Sequence, residues 1–290
     1  MLERVAAIVF PIYAVVAAGY AYGRWKKPDM AFANQLNMDI FVPALIFAAL
    51  ASKSFDIAQH VPLLAGAAAV SLGSGLLAWP VPRSLGVAGN TFVPTVMFRN
   101  AGNMGLPLMV LAFGEPALPA AVVLFFVSNF LHYSLGTWML DHHARLATLW
   151  RVPLIAAALC GLAVSVLHLP LWDPLLTGIR MLGDISIPLL LFSLGVRLTE
   201  GRHADLALGL AGALTAPLAG VLVALGANAL LGLSGRDAAM LILFGALPPA
   251  VLNFVFAERY GQEPARVASL VLVGNTASMV VIPLTLAWVL

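Results

Sequence analysis

The sequence predicts an all-α polytopic membrane protein: ten transmembrane helices in two inverted five-helix repeats, with helices 4 and 9 broken. Three observations carry this. Of the 290 residues, 61% are apolar and only 10% charged, where a soluble protein carries about 25% charged residues; the mean hydropathy is +0.97. Apolar runs of about twenty residues, the length that spans a bilayer as a helix, recur along the chain between short polar breaks. Segments of the first half also return in the second at near-constant separation. The composition excludes soluble catalytic domains, nucleic-acid-binding modules and disulfide scaffolds. Cys160 is the only cysteine and has no intrachain partner.

The runs follow in order. Span 1 is Val5–Trp25. It is too long for a signal peptide, its flank holds Glu3 beside Arg4, and no cleavage motif follows. Spans 2 to 5 are Ala31–Leu50, His60–Val81, Thr91–Phe113 and Ala117–Leu140. Spans 6 to 10 are Val152–Leu167, Pro174–Leu198, Ala204–Leu231, Arg236–Tyr260 and Arg266–Leu290. Period-two alternation is absent, so helices rather than a barrel satisfy the backbone in lipid. Loops after odd-numbered spans hold Arg24, Lys26, Lys27, Arg83, Arg145, Arg151, Arg197, Arg202, Arg259 and Arg266, whereas the opposite side holds only Arg4, Lys53 and Arg236. The positive-inside rule then puts the odd-numbered loops in the cytoplasm and both termini outside.

The repeat is visible in three places. Asp39-Ile-Phe-Val-Pro43-Ala-Leu-Ile-Phe47 in span 2 matches Asp184-Ile-Ser-Ile-Pro188-Leu-Leu-Leu-Phe192 in span 7. Laying Phe98 on Phe244 aligns span 4 with span 9, setting Asn103 on Pro249 and Pro107 on Asn253. Ser128-Asn129 in span 5 falls on Gly274-Asn275 in span 10. Residues 1–140 thus form a first five-helix repeat, 141–151 a short cytoplasmic linker, and 152–290 a second repeat. Five is odd, so the halves insert with opposite topology, an architecture typical of secondary transporters with a midplane site at discontinuous helices. Spans 4 and 9 are the candidates for such helices. Each carries Pro and Gly mid-span, in Arg99-Asn-Ala-Gly-Asn-Met-Gly-Leu-Pro107 and Gly245-Ala-Leu-Pro-Pro-Ala-Val-Leu-Asn253.

Asn103-Met-Gly-Leu-Pro107, Leu182-Gly-Asp-Ile-Ser-Ile-Pro188 followed by Ser193-Leu-Gly195, and the stretch from Pro249 to Tyr260-Gly261 resemble the auxin efflux carrier family along the whole chain. The resemblance implies that broken helices 4 and 9 cross. It also implies a scaffold of spans 1, 2, 6 and 7, and a moving transport domain of spans 3–5 and 8–10. An elevator-type cycle, a homodimer, and a small carboxylate substrate such as malonate, malate or an auxin-like monocarboxylate follow from it as expectations. The long hydrophilic central loop of many plant carriers is missing, which favours a bacterial-type member in the inner membrane. The sodium–bile acid symporters share the general fold and stand as an alternative, as does a channel or ligand sensor on the same scaffold.

Ionisable residues inside spans are functional candidates by default. Arg99 lies about 12 Å into span 4 at 1.5 Å per residue. It either grips a substrate carboxylate through two parallel hydrogen bonds or pairs with an aspartate. Asp39 and Asp184 are candidates for coupling to H⁺ or Na⁺; alternatively they are structural, with Arg180 one helical turn from Asp184. His132, one turn beyond Asn129, is a further coupling candidate or a satisfied interior histidine. The substrate candidates are Asn100, Asn103, Pro107, Pro249 and Asn253 at the breaks, with Asn129 and Asn275 beside them. Asparagine offers both donor and acceptor, and equally serves as an interhelical hydrogen bond. His142-His143 is too isolated for a metal site, and no cofactor is expected. The Gly183-Asp184 and Pro43-Ala44-Leu45 pairs of aspartyl intramembrane proteases occur in the wrong order, and no nucleotide-binding loop is present, so no enzyme is predicted.

Overall fold

The structure, a computed structural model, describes residues 2–51, 56–142, 152–199 and 205–290. Among these it is helical, without strands. The helices are α1 Leu2–Lys26, α2 Ala31–Leu50, α3 Ile57–Ala78, α4 Gly89–Met97, α5 Ala101–Phe113 and α6 Glu115–Leu140. There follow α7 Pro153–Val166, α8 Asp173–Arg197, α9 Leu206–Leu231, α10 Gly235–Ala246, α11 Leu252–Tyr260 and α12 Pro264–Val289. Seven of the described helices, α1, α2, α3, α6, α8, α9 and α12, are long and apolar enough to cross a bilayer. The chain is therefore read as a polytopic membrane protein. Lys53, His143, Arg145, Arg151, Arg202 and most of the 141–151 linker lie outside the described residues, as does Ala204.

Local chemistry sets the helix boundaries. The α3 helix begins at Ile57 rather than His60 because the Asp56 carboxylate accepts a hydrogen bond from the Ala58 N–H at 2.9 Å, capping the first turn. Asp205 caps α9 in the same way, accepting from Leu208 N at 3.1 Å. Inside the spans, Ser71, Thr95, Thr215 and Thr285 donate to carbonyls four residues back, which satisfies a hydroxyl where no water reaches.

Helix approach is set by glycine, since lipid supplies no hydrophobic drive between helices and close van der Waals packing must replace it. A Cβ added at Gly195 would stand 2.0 Å from Val16 O, and one at Gly19 would stand 2.1 Å from Phe192 O. The Ser193-Leu-Gly195 motif is thus where α8 lies against α1. Gly183 of α8 meets the backbone of Leu45 in α2, and Gly161 of α7 meets Phe47 and Leu50 in α2. These contacts join α1, α2, α7 and α8. Elsewhere α9 packs on α3, α10 and α12, and α6 packs on α3. Thr91 at the head of α4 is tied to the α11–α12 turn, donating to Glu263 at 2.5 Å and accepting from Gln262 at 3.1 Å.

Candidate functional site

Two helices of the bundle stop in mid-course and meet. After α4 the backbone is extended at Phe98 (φ −101°, ψ 115°), and after α10 it is extended at Leu247 (φ −59°, ψ 145°). Pro248 and Pro249 cannot donate to a helix. In hydrocarbon every freed backbone group must find a partner inside the protein, and here each break supplies the other. Arg99 faces Pro249 in a single antiparallel bridge. Asn100 N–H donates to Pro248 O at 2.8 Å, and Ala250 N–H donates to Phe98 O at 2.9 Å.

This bridge is symmetric about the 99/249 pair, so exchanging the two strands carries Asn100 to Ala250 and Asn103 to Asn253. The register differs by four residues from the expected match of Asn103 with Pro249 and Pro107 with Asn253. That match rested on two phenylalanines, Phe98 and Phe244, whereas Phe244 lies inside α10 and Phe98 beyond the end of α4. By the backbone pairing at this bridge, Asn103 and Asn253 stand in corresponding places.

The asparagines divide into two groups. Asn253 Nδ2 donates to Phe98 O and Ala250 O, both at 3.0 Å. Asn275 Nδ2 donates to Pro249 O at 3.0 Å and Val271 O at 2.8 Å, while its Oδ1 accepts from Asn100 Nδ2 at 2.8 Å. These three residues are at most 4% exposed and hold the unwound strands. Their counterparts do otherwise. Ala250 holds on one strand of the bridge the place that Asn100 holds on the other, and among the described residues the Asn129 amide donates only within its own helix, to Phe125 O at 2.9 Å. Asn103 and Asn129 line a cavity of about 290 Å³.

That cavity runs from the crossing, at Asn100 and Val251, to Asn34 and Gln35 in α2 and Arg197 at the end of α8. Ser128, Ser193 and Tyr133 add hydroxyls to its wall, and Phe125 and Leu190 add apolar surface. The Ser193 hydroxyl is buried without a partner. The backbone N–H groups of Gly102 and Asn103, in the first turn of α5, have no acceptor among the described residues. Such orphan donors at a helix start, with the positive end of the helix dipole behind them, suit an anion. His132 also lines the cavity, with its ring stacked on Phe98 at 4.2 Å and edge-on to Phe256 at 5.0 Å. Pro107 is buried in α5, one turn beyond Asn103, and Pro249 forms the bridge. A smaller cavity of about 110 Å³ lies on the Asn275 side.

Arg99 is not paired with an aspartate among the described residues. Although it borders the larger cavity, its guanidinium lies among α3, α9 and the end of α10, none of which lines that cavity. It donates to Ser74 Oγ at 2.5 Å, Ala216 O at 3.2 Å and Leu247 O at 3.5 Å. The expected pairing among intramembrane charges is likewise not observed. Neither Arg99 nor Arg180 forms an ion pair with Asp39 or Asp184 among the described residues. Arg180 and Asp184 are instead exposed and line a cavity of about 440 Å³ with His60, Glu115 and Arg236. Asp39 is exposed, in a π turn of α2 over Asn37–Phe41.

Sequence reasoning missed Arg197, counting it with the loop charges, although it follows Ser193-Leu-Gly195 by two residues. Its guanidinium lies 5.4 Å from the Phe254 ring centre. In the sequence Ser193 stands out only as part of the Ser193-Leu-Gly195 motif.

A family model described as "Membrane transport protein" matches residues 5–148 and 142–286, almost the whole chain. The chain belongs to this family, that of the auxin efflux carriers. Comparison with curated proteins finds no match. Membership makes the chain a membrane transporter by family, and the two matched segments meet at 142–148, within the expected linker. In this family member, the motif residues that carried the resemblance fall at the crossing, at the α1–α8 contact and in α11.

Proposed function

We propose that the protein is a secondary active carrier of small organic anions, carboxylates of the malonate or malate class or auxin-like monocarboxylates. The observation that carries this reading is the crossing of two broken helices beside a polar cavity. On its wall, Asn103, Asn129, Ser193 and the first-turn N–H groups of α5 are left for a ligand. A carboxylate of a few carbons suits a cavity of about 290 Å³ with an orphan-donor end and an apolar wall of Phe125, Leu190 and Val251. Arg197 supplies positive charge that draws anions towards the entrance.

In this reading the chain crosses the membrane ten times as two inverted repeats of five. The helical segments fall on all ten apolar runs, and the symmetric bridge at 99/249 supports a two-fold relation. Helices α1, α2, α7 and α8 form the scaffold and the remainder the transport domain, with the cavity between them. With the basic loops inside, Asn34, Gln35 and Arg197 lie towards the cytoplasm, so the site is open inward. The substrate binds at the α5 N-terminus, and the transport domain slides against the scaffold to expose it outside. The 440 Å³ cavity around Arg180 and Asp184 is the outer vestibule. A scaffold-mediated homodimer in the bacterial inner membrane completes the proposal.

Uptake of labelled malonate into proteoliposomes, with and without an imposed pH gradient, tests it. Saturable accumulation raised by the gradient is the expected result for a proton-coupled carrier. Non-saturable flux that only follows the malonate gradient would instead identify a channel. Absence of uptake for every carboxylate tried would overturn the reading.

A further inference from the structure

We infer that Arg99 is a tethered counter-cation, filling with its guanidinium an oxygen site that would otherwise take a sodium ion. The site consists of three oxygens from three helices. Ser74 Oγ of α3 accepts from Nη2 at 2.5 Å, and Ala216 O of α9 and Leu247 O just past α10 accept from Nη1 at 3.2 and 3.5 Å. The Ser74 hydroxyl itself donates to Val70 O, so its lone pairs are turned to the cation. No carboxylate partners Arg99 among the described residues, and the residue is 2% exposed. A charge so deeply buried is retained only where something compensates it, and here the compensation is carbonyl and hydroxyl oxygen at the negative end of the half-helix α10.

Backbone packing leaves room for this group. A Cβ at Gly220 would stand 2.3 Å from Arg99 Nη2 and 2.1 Å from Gly245 O, and a Cβ at Gly245 would stand 2.5 Å from Gly220 O. Glycines on α9 and α10 therefore let the two backbones close around the guanidinium. Unwound carbonyls and half-helix C-terminal ends are the groups that coordinate coupling cations in discontinuous-helix transporters, and hard cations prefer such oxygens. An arginine cannot lose its proton under physiological conditions, so the site is permanently occupied. The consequence, which rests on the carrier reading, is that uptake needs no sodium. The structural claim stands apart from that reading and is tested without a substrate.

The test measures the melting temperature of the purified protein in sodium chloride and in choline chloride at equal ionic strength. Wild type and Arg99→Lys, which keeps a tethered cation, should melt at the same temperature in both salts. Arg99→Gln and Arg99→Ala should melt higher in sodium, by about 3 °C or more, as expected for a bound ligand. An equal sodium response in wild type and Arg99→Gln, or none in either charge-removing variant, overturns the proposal. So does aggregation of both variants in both salts, because no small cation could then replace the guanidinium. Loss of malonate uptake in wild type would fail the carrier reading and leave these melting results unaffected.

Discussion

The two strands at the crossing share one backbone bridge and differ in what surrounds it. On one side Asn253 and Asn275 are committed to Phe98 O and Pro249 O, and Asn275 also accepts from Asn100; the space beside Asn275 is only about 110 Å³. On the other, Asn103 and Asn129 line about 290 Å³, the Asn129 amide donating within its own helix to Phe125 O and the Asn103 side chain holding no hydrogen bond among the described residues. In the proposed inverted repeat the two sides would be equivalent, and Ala250, which stands across the bridge from the place of Asn100, makes them differ. The asparagines thus divide the work: Asn100, Asn253 and Asn275 hold the break together, and Asn103 and Asn129 face the larger cavity.

The largest expected effect comes from breaking the committed side. Asn275→Ala strips Pro249 O and Asn100 of their partners, and Asn253→Ala strips Phe98 O of one of two. Each orphaned buried group costs about 1–3 kcal/mol, so both variants should melt several degrees lower, Asn275→Ala the lower of the two, as read by a thermal-shift assay. An unchanged melting temperature in both would mean that the bridge needs no side-chain support. Next, Asn103→Ala and Asn129→Ala should weaken carboxylate affinity about tenfold, the equivalent of 1.4 kcal/mol, with melting within a degree of wild type. Thermal stabilisation titrated against the ligand reads both quantities at once. Wild-type affinity in both variants would move the site elsewhere.

A smaller, sharpening effect is expected from Ala250→Asn, which restores the symmetric asparagine. Its amide should reach Asn129 as Asn100 reaches Asn275, narrowing the cavity. Uptake should fall several-fold while the melting temperature holds or rises slightly. Higher uptake would show that the open side does not depend on Ala250. The smallest effect is expected from His132→Asn. Its ring packs between Phe98 and Phe256, so loss of stacking of about 1 kcal/mol should leave the pH profile of uptake where it was. A displaced profile would make His132 a proton carrier.

The fold was legible where physics acts along the chain. Apolar length marked the runs, and the Pro-Pro and Gly-rich segments marked both breaks to within a few residues. What crosses between helices was not legible. The pairing at 99/249 is set by two backbone hydrogen bonds that leave no residue signature, and it differs by one turn from an alignment through Phe98 and Phe244. Arg99 was correctly singled out as a charge needing a partner, but its partners are carbonyls of Ala216 and Leu247, which any residue could provide. Asn103 and Asn253 looked interchangeable because spacing cannot say which amide the backbone has already claimed. Arg197 escaped because it sits in the last turn of α8, where it reads as one more cytoplasmic charge.

The central claim is that the ligand sits on the Asn103–Asn129 side of the crossing, and cysteine protection tests it most directly. With the exposed Cys160 replaced by serine, Ser193→Cys in the larger cavity and Ala268→Cys in the smaller one are labelled with a small maleimide. Labelling is repeated with and without the carboxylate that gives saturable uptake. The account predicts that this carboxylate slows labelling at 193 with a half-maximal concentration near its transport constant, and leaves 268 unaffected. Protection at 268 alone, or at neither position, would contradict it.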